Sequence, residues 1–109
     1  MIKQMFLIKR KQGISHDEFR KYYVERHAPL VKQTFPEIMK YVINFVHQGK
    51  REAAYDAVTE IHWPDFETIK RLKDSDTYRK KIVPDEANFI AKGGPTPFLA
   101  EEFVAKDLK

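Results

Sequence analysis

The order of strand-like and helix-like segments constrains the fold of this chain more than any other sequence feature. Alternating or aromatic-rich runs predict strands, and apolar residues spaced by threes and fours predict helices. In chain order we expect a strand at 2–10, a helix from Ser15, strands at 41–48 and 55–63, helical segments from Phe66, and a strand at 98–104. The two middle strands are close enough in sequence to form an antiparallel hairpin.

The first helix has the clearest boundary signal in the chain. Ser15 followed by Glu18 is a capping-box pair, in which each side chain bonds the other residue's backbone N–H. The second helical region is predicted as three short pieces, because the segment 74–76 interrupts it and Pro84 lacks an amide hydrogen. We expect its last piece to run from Asp85 to Lys92.

This order is the ferredoxin-like β-α-β-β-α-β pattern of an α+β protein, a four-stranded antiparallel sheet with its helices on one face. The other face would then lie bare, yet the first strand is apolar on both sides, with Met5 and Leu7 opposite Phe6 and Ile8. A half-exposed sheet normally alternates more cleanly. We therefore predict that a second copy covers this face, giving a homodimer with a two-fold axis.

Composition indicates one soluble domain over residues 1–109. No cysteine is present, which excludes disulfides and favours the cytoplasm. No apolar run approaches a membrane span, so we expect no membrane partner. The net charge of +4 comes from small basic groups mixed with acids. Since no nucleic-acid motif accompanies them, we expect no nucleic-acid partner.

Common catalytic motifs are absent from the sequence. It contains no glycine-rich phosphate loop, no GxSxG and no HExxH, and its four histidines are scattered over different predicted segments. We therefore expect neither a metal nor a nucleotide cofactor. The chemistry left to the chain is that of imidazole, phenol and carboxylate groups.

His27 is the leading candidate for such chemistry. It lies on the apolar stripe of the first helix, one turn after Tyr23, so it should point toward the sheet where a pocket would open. Pro29 frees the Glu25 carbonyl group and is expected to bend the helix at this point. A histidine there can exchange a proton near neutral pH. Alternatively, it has a structural role, bonding the freed carbonyl or a carboxylate such as Glu60.

The other candidate site residues each have a structural explanation as well as a functional one. Tyr22, Tyr23 and Tyr78 could donate hydrogen bonds to a substrate oxygen, although aromatic residues at helical spacing usually belong to the core. Asp85 and Glu86 follow Pro84, where carboxylates favour a helix start.

The first strand and the third supply the remaining candidates. Arg10 could hold a substrate carboxylate, or simply lie on the surface. Glu60 and His62 share a strand face, where they could form an acid/base pair or line a dimer interface.

The segment KRKQGISHDEFRKYYVERHAPLV resembles the opening signature of the ethyl tert-butyl ether degradation (EthD) family. Further matches extend through YDAVTEIHW, SDTYRK, PDEANF and Glu102, nearly the whole chain. The resemblance implies a dimeric α+β barrel in which each subunit keeps a pocket between helices and sheet. One departure is His62 and Trp63, where the family pattern has an aromatic and an aliphatic residue.

The resemblance also implies a range of activities. The family name comes from an accessory role beside an ether-degrading oxidase, and relatives of similar fold include polyketide cyclases, decarboxylases, dehydratases and a methylmuconolactone isomerase. It implies that His27 is a general base. Our hypothesis adds Tyr23 or Tyr78 to polarise a carbonyl group and Asp85 or Glu60 to orient the imidazole. Arg10, Tyr22, Glu60 and Phe89 would bind a small apolar or aromatic substrate. We expect acid/base chemistry without a cofactor. The alternative is a non-catalytic binding or accessory protein, with an oxidase as its partner.

Overall fold

The computed structural model describes residues 1–108, and over this range the chain is an α+β protein. Four antiparallel strands form one sheet. The elements in chain order are β1 (Ile2–Ile8), α1 (His16–Tyr22), a π-helical turn (Tyr23–His27), α2 (Ala28–Thr34), β2 (Lys40–Phe45), β3 (Ala57–Trp63), α3 (Phe66–Lys73), a second π-helical turn (Tyr78–Ile82), α4 (Val83–Glu86) and β4 (Thr96–Ala100).

The strand order β2-β3-β1-β4 confirms the predicted ferredoxin-like topology. The predicted hairpin of β2 and β3 is present, with Ile43 opposite Thr59. β1 lies between β3 and β4, and its Leu7 is opposite Val58 on one side and Thr96 on the other. Even-numbered β1 residues face the helices, so the odd-numbered ones form the open face of the sheet.

The last strand is shorter and earlier than the sequence predicted. It covers Thr96–Ala100 instead of 98–104. Its partner explains the difference, because β4 pairs only with β1 and Ala100 is already opposite Lys3, near the start of that strand. β1 likewise ends at Ile8, and Arg10 makes only an isolated bridge to Ile90.

The predicted capping box is confirmed at the start of α1. The Ser15 hydroxyl accepts from the Glu18 N–H at 3.0 Å, and the Glu18 carboxylate accepts from the Ser15 N–H at 3.0 Å. These bonds satisfy two amide groups that the first helical turn leaves without partners.

Both prolines that were expected to disturb helices follow a π-helical turn. The Ala28 N–H donates to the Tyr23 carbonyl, and the Val83 N–H donates to the Tyr78 carbonyl, each five residues back. Each helix then continues through a proline instead of stopping. The predicted break at Pro84 is therefore wrong, because the wider π-helical turn accommodates a residue that has no N–H group to donate. The predicted helix from Asp85 to Lys92 is wrong too, since α4 ends at Glu86.

Two groups of buried side chains fill the space between helices and sheet. One is built around Phe19, Tyr23 and Phe89, and the other around Val31, Trp63 and Ile82. Phe6 and Tyr41 pack against both groups. A cavity lies in this layer. None of the helices within residues 1–108 combines the length and apolar character needed to cross a membrane.

Candidate active site

A cavity of about 500 Å³ opens between the helices and the helix-facing side of the sheet. Its size is that of a site for a small organic molecule. Apolar side chains form most of its wall, and a few polar groups interrupt them. Those that carry the chemistry below are Tyr23, His27, Tyr41, Thr59, Tyr78 and Glu86.

His27 is held from behind by Asp85. The residue is only 4% exposed, and Nδ1 lies 2.7 Å from Oδ2 of Asp85. An ionised carboxylate only accepts, so Nδ1 carries the hydrogen and donates it. Nε2 then has a free lone pair and no hydrogen-bond partner within residues 1–108. The imidazole forms part of the cavity wall, so this atom is the one available to a bound molecule.

Asp85 is held in turn by Tyr22, whose hydroxyl donates to Oδ1 at 2.6 Å. The Asn88 amide donates to the Tyr22 oxygen at 2.9 Å. Burial favours the neutral acid, but the hydrogen bonds from Tyr22 and His27 together outweigh it and lower the pKa of Asp85. Asp85 is therefore an anion at neutral pH.

The His27 imidazole is neutral at the same pH. Burial lowers its pKa, and the neighbouring Asp85 carboxylate opposes that effect only in part. A neutral imidazole whose Nδ1–H is fixed by a carboxylate can accept a proton at Nε2. The geometry is that of an oriented general base.

Three phenols face the same cavity. The Tyr23 hydroxyl lies 2.8 Å from the Thr59 hydroxyl, and Tyr41 donates to Tyr23 over a long 3.4 Å. Burial raises the pKa of Tyr23, Tyr41 and Tyr78, so all three stay protonated. They are hydrogen-bond donors in a largely apolar space.

Glu86 also lines the cavity, and sequence reasoning assigned it only to a helix start. Within the described residues its carboxyl group has no hydrogen-bond partner. Burial, and secondarily the charge of Asp85, raise its pKa to about 7. A signal existed in the sequence, because Tyr78, Ile82 and Glu86 recur at a spacing of four, as residues on one helix face do.

The predicted binding residues do not line the cavity. Phe89 packs against the His27 ring at 4.8 Å between centroids and against Tyr22 at 5.1 Å, so it supports the imidazole from behind. Arg10 instead pairs with Glu52 at 2.5 Å beyond the end of β1.

Glu60 lies on the open face of the sheet. Its carboxylate is 3.4 Å from the predicted neighbour His62 and 3.7 Å from Lys3. Glu60 therefore cannot orient His27, and Asp85 occupies that position. Across residues 1–108, no three histidine, aspartate or glutamate side chains come together in a group that could hold a metal ion.

Known proteins resemble this chain in sequence and in structure. A decarboxylase of Emericella nidulans is 28% identical over 102 residues, covering 73% of this chain and 63% of its own length. The chain thus spans less than two thirds of that relative. A dehydratase of Ustilaginoidea virens is 27% identical over 97 residues, covering 73% of this chain and 68% of its own length.

The fold has a counterpart among solved structures. The crystal structure of an EthD family protein from Bacillus halodurans matches with a TM-score of 0.71 at 18% identity, covering 94% of this chain and 100% of that one. The model of the EthD domain matches residues 11–93. That range contains His27, Asp85, Tyr22 and Glu86 and makes up most of the sequence. The chain therefore belongs to the EthD family.

Proposed function

We propose that this protein is a cofactor-independent enzyme in which Nε2 of His27 removes a proton from a carbon atom of a hydrophobic, oxygen-bearing small molecule. The observation that carries the proposal is the Nδ1 contact with Asp85, which leaves Nε2 free at the wall of a largely apolar cavity. Hydrogens on carbon next to a carbonyl group are the ones that such a base can remove.

The rest of the cavity supports this class of reaction. Tyr23 and Tyr78 are protonated donors that can polarise a substrate carbonyl. Two relatives are called a decarboxylase and a dehydratase, and loss of carbon dioxide or water from a small molecule commonly includes a proton transfer. Isomerase, cyclase, decarboxylase and dehydratase reactions all fit one oriented base with hydrogen-bond donors around it.

A hydrophobic ketone tests the proposal without knowledge of the natural substrate. 2-Tetralone carries acidic C–H groups beside its carbonyl, and their replacement by deuterium in D₂O is followed by proton NMR. We expect exchange well above the buffer rate. His27→Ala and the bulkier His27→Gln should lower the exchange rate by about 10²-fold or more, the usual contribution of a general base, while 2-tetralone still binds.

His47→Ala is the matched control, because His47 is exposed and lies outside the cavity lining. Its exchange rate should equal that of the wild type. An unchanged rate in both His27 variants removes His27 from the mechanism. Binding of 2-tetralone without exchange favours the alternative, a non-catalytic carrier or accessory protein for an oxidase, and absence of binding contradicts the proposed ligand class.

The open face of the sheet supports a homodimer as the working form. Five apolar side chains lie on this face: Met5, Leu7, Val42, Val58 and Phe98. A patch of this kind on a soluble protein normally meets a partner. Structural neighbours from Bacteroides fragilis and Thermobifida fusca are described as dimeric. A second copy of the same sheet would cover the patch by a two-fold contact.

A further inference from the structure

Glu86 stands apart from the hydrogen-bonded residues of the cavity. Its neighbour in sequence, Asp85, bonds His27 and Tyr22, whereas Glu86 forms part of the cavity wall and its carboxyl group has no hydrogen-bond partner within residues 1–108. The two consecutive carboxyl groups on α4 thus differ in their surroundings: Asp85 is hydrogen-bonded behind the imidazole, and Glu86 lies at the cavity. A polar group kept in a mostly apolar cavity without a partner is available to a ligand.

The surroundings of Glu86 favour its neutral form. Phenols from three other elements contribute to the same cavity, Tyr23 from the first π-helical turn, Tyr41 from β2 and Tyr78 from the second turn. Asp85 is the charged group that acts on Glu86 and disfavours a second anion, and Lys73 contributes to the same cavity wall. Burial is the main cause that raises the pKa of Glu86 to about 7, and the negative charge of Asp85 adds to it.

We propose that the Glu86 carboxyl group is the acid of this cavity and protonates the substrate oxygen while His27 removes a proton from the neighbouring carbon. The proposal rests on the proposed role of His27. In the forward step the C–H bond breaks, its proton goes to Nε2, the electron pair forms an enol double bond, and the carbonyl oxygen takes the Glu86 proton. In the reverse step the imidazolium protonates carbon and the enol returns its proton to glutamate.

Glu86 suits this step better than the phenols around it. A proton donor is most effective when its pKa lies near the working pH. Glu86 meets that condition, whereas burial moves the pKa of Tyr23 and Tyr78 further above the ordinary phenol value. The phenols can orient and polarise the oxygen, and Glu86 can transfer a proton to it.

The pH profile of 2-tetralone exchange tests the role of Glu86 in turnover. The acid form is required, so the wild-type rate should fall as pH rises through about 7. Glu86→Gln should be at least about tenfold slower below that pH, and its profile should lack the alkaline fall. Glu101→Gln, at an exposed position after β4, should keep the wild-type profile. An alkaline fall that persists in Glu86→Gln overturns the proposal.

A second measurement does not depend on turnover. 2,4-Dinitrophenolate remains an anion across the relevant range and mimics an oxyanion in the cavity. Wild-type protein should bind it about tenfold more tightly one pH unit below 7 than one unit above, because ionised Glu86 repels it. Glu86→Gln should bind it equally at both values.

Exchange of 2-tetralone and binding of 2,4-dinitrophenolate together distinguish a failure of the His27 proposal from a failure of the Glu86 proposal. Absence of 2-tetralone exchange combined with pH-dependent binding of 2,4-dinitrophenolate contradicts the base role of His27 and leaves Glu86 as a protonated donor. Wild-type binding of the anion that is independent of pH, or no binding below pH 7, overturns the assignment of Glu86.

Discussion

The side chains behind His27 form a short hydrogen-bonded series. Asn88 donates to Tyr22, Tyr22 donates to Asp85, and Asp85 accepts from the His27 imidazole. Each bond fixes the direction of the next, and the last one decides which ring nitrogen keeps its hydrogen. The position of a proton on one imidazole therefore depends on Tyr22 of α1, Asp85 of α4 and Asn88 in the turn after α4.

Replacing Asp85 tests this dependence. In Asp85→Asn the amide can donate to Nδ1, which moves the imidazole hydrogen to Nε2 and removes the free lone pair. We expect 2-tetralone exchange to fall by about 10²-fold or more, and nitrogen NMR of the His27 ring should show the changed tautomer. Tyr22→Phe is the graded comparison: it removes one bond to Asp85 and leaves the Nδ1 contact, so the tautomer should be kept and the exchange rate should fall less than in Asp85→Asn. An Asp85→Asn protein with the original tautomer and rate would contradict the positioning role.

At the scale of elements, two helical segments share one construction. Each has a π-helical turn, Tyr23–His27 or Tyr78–Ile82, followed two residues later by a proline. In both turns the first and last residues line the cavity. A π-helical turn rotates the side chains after it relative to a regular α-helix, and such turns are frequent at functional sites. The two turns therefore set how the cavity wall is arranged.

Pro29→Ala tests the contribution of the first turn. The new N–H can restore regular helical bonding to the Glu25 carbonyl, so the free energy of unfolding should rise by up to about 3 kcal/mol, the helix-propensity difference between the two residues. The regained α-helix would rotate His27 away from Asp85, and exchange of 2-tetralone should fall. Thermal unfolding and the ring NMR signals of His27 check both effects. Pro36→Ala, at an exposed position after α2, should change neither.

Sequence patterns predicted the elements better than they predicted the turns between them. The capping box at Ser15 and the β2–β3 hairpin depend on local rules, and both are confirmed. Pro84 was misread because a local rule treats proline as a helix end, whereas packing against the sheet stabilises a wider turn. The prediction that Glu60 could bond His27 is wrong. Strand alternation shows which residues share a face of the sheet, but it does not show which face the helices cover.

At the scale of the whole molecule, one face of the sheet carries the helices and the other carries an apolar patch. Leu7 and Val58 are opposite each other within this patch, on the two central strands. The cavity and this patch lie on opposite sides of a single layer of backbone. A second copy on the patch would therefore contact the side of the sheet that does not line the cavity.

A charge within the patch tests the dimer. Light scattering of the wild type at micromolar concentration should give twice the chain mass of 12.9 kDa, and Leu7→Glu should give about 12.9 kDa, because an unpaired carboxylate at a buried contact is strongly unfavourable. Val24→Glu, at an exposed helical position, should remain a dimer. A wild-type mass near 12.9 kDa would contradict the dimer.

The placement of Asp85 outside the cavity lining has a consequence for substrate preference. Asp85, Tyr22 and Asn88 direct the imidazole from behind, while Ile61, Leu72 and other side chains give the cavity its shape. Substitutions can therefore reshape the space for a new molecule without touching the groups that direct the proton. Under the proposed function, substitution of apolar wall residues such as Ile61 and Leu72 would change substrate preference while His27 and Asp85 stay in place.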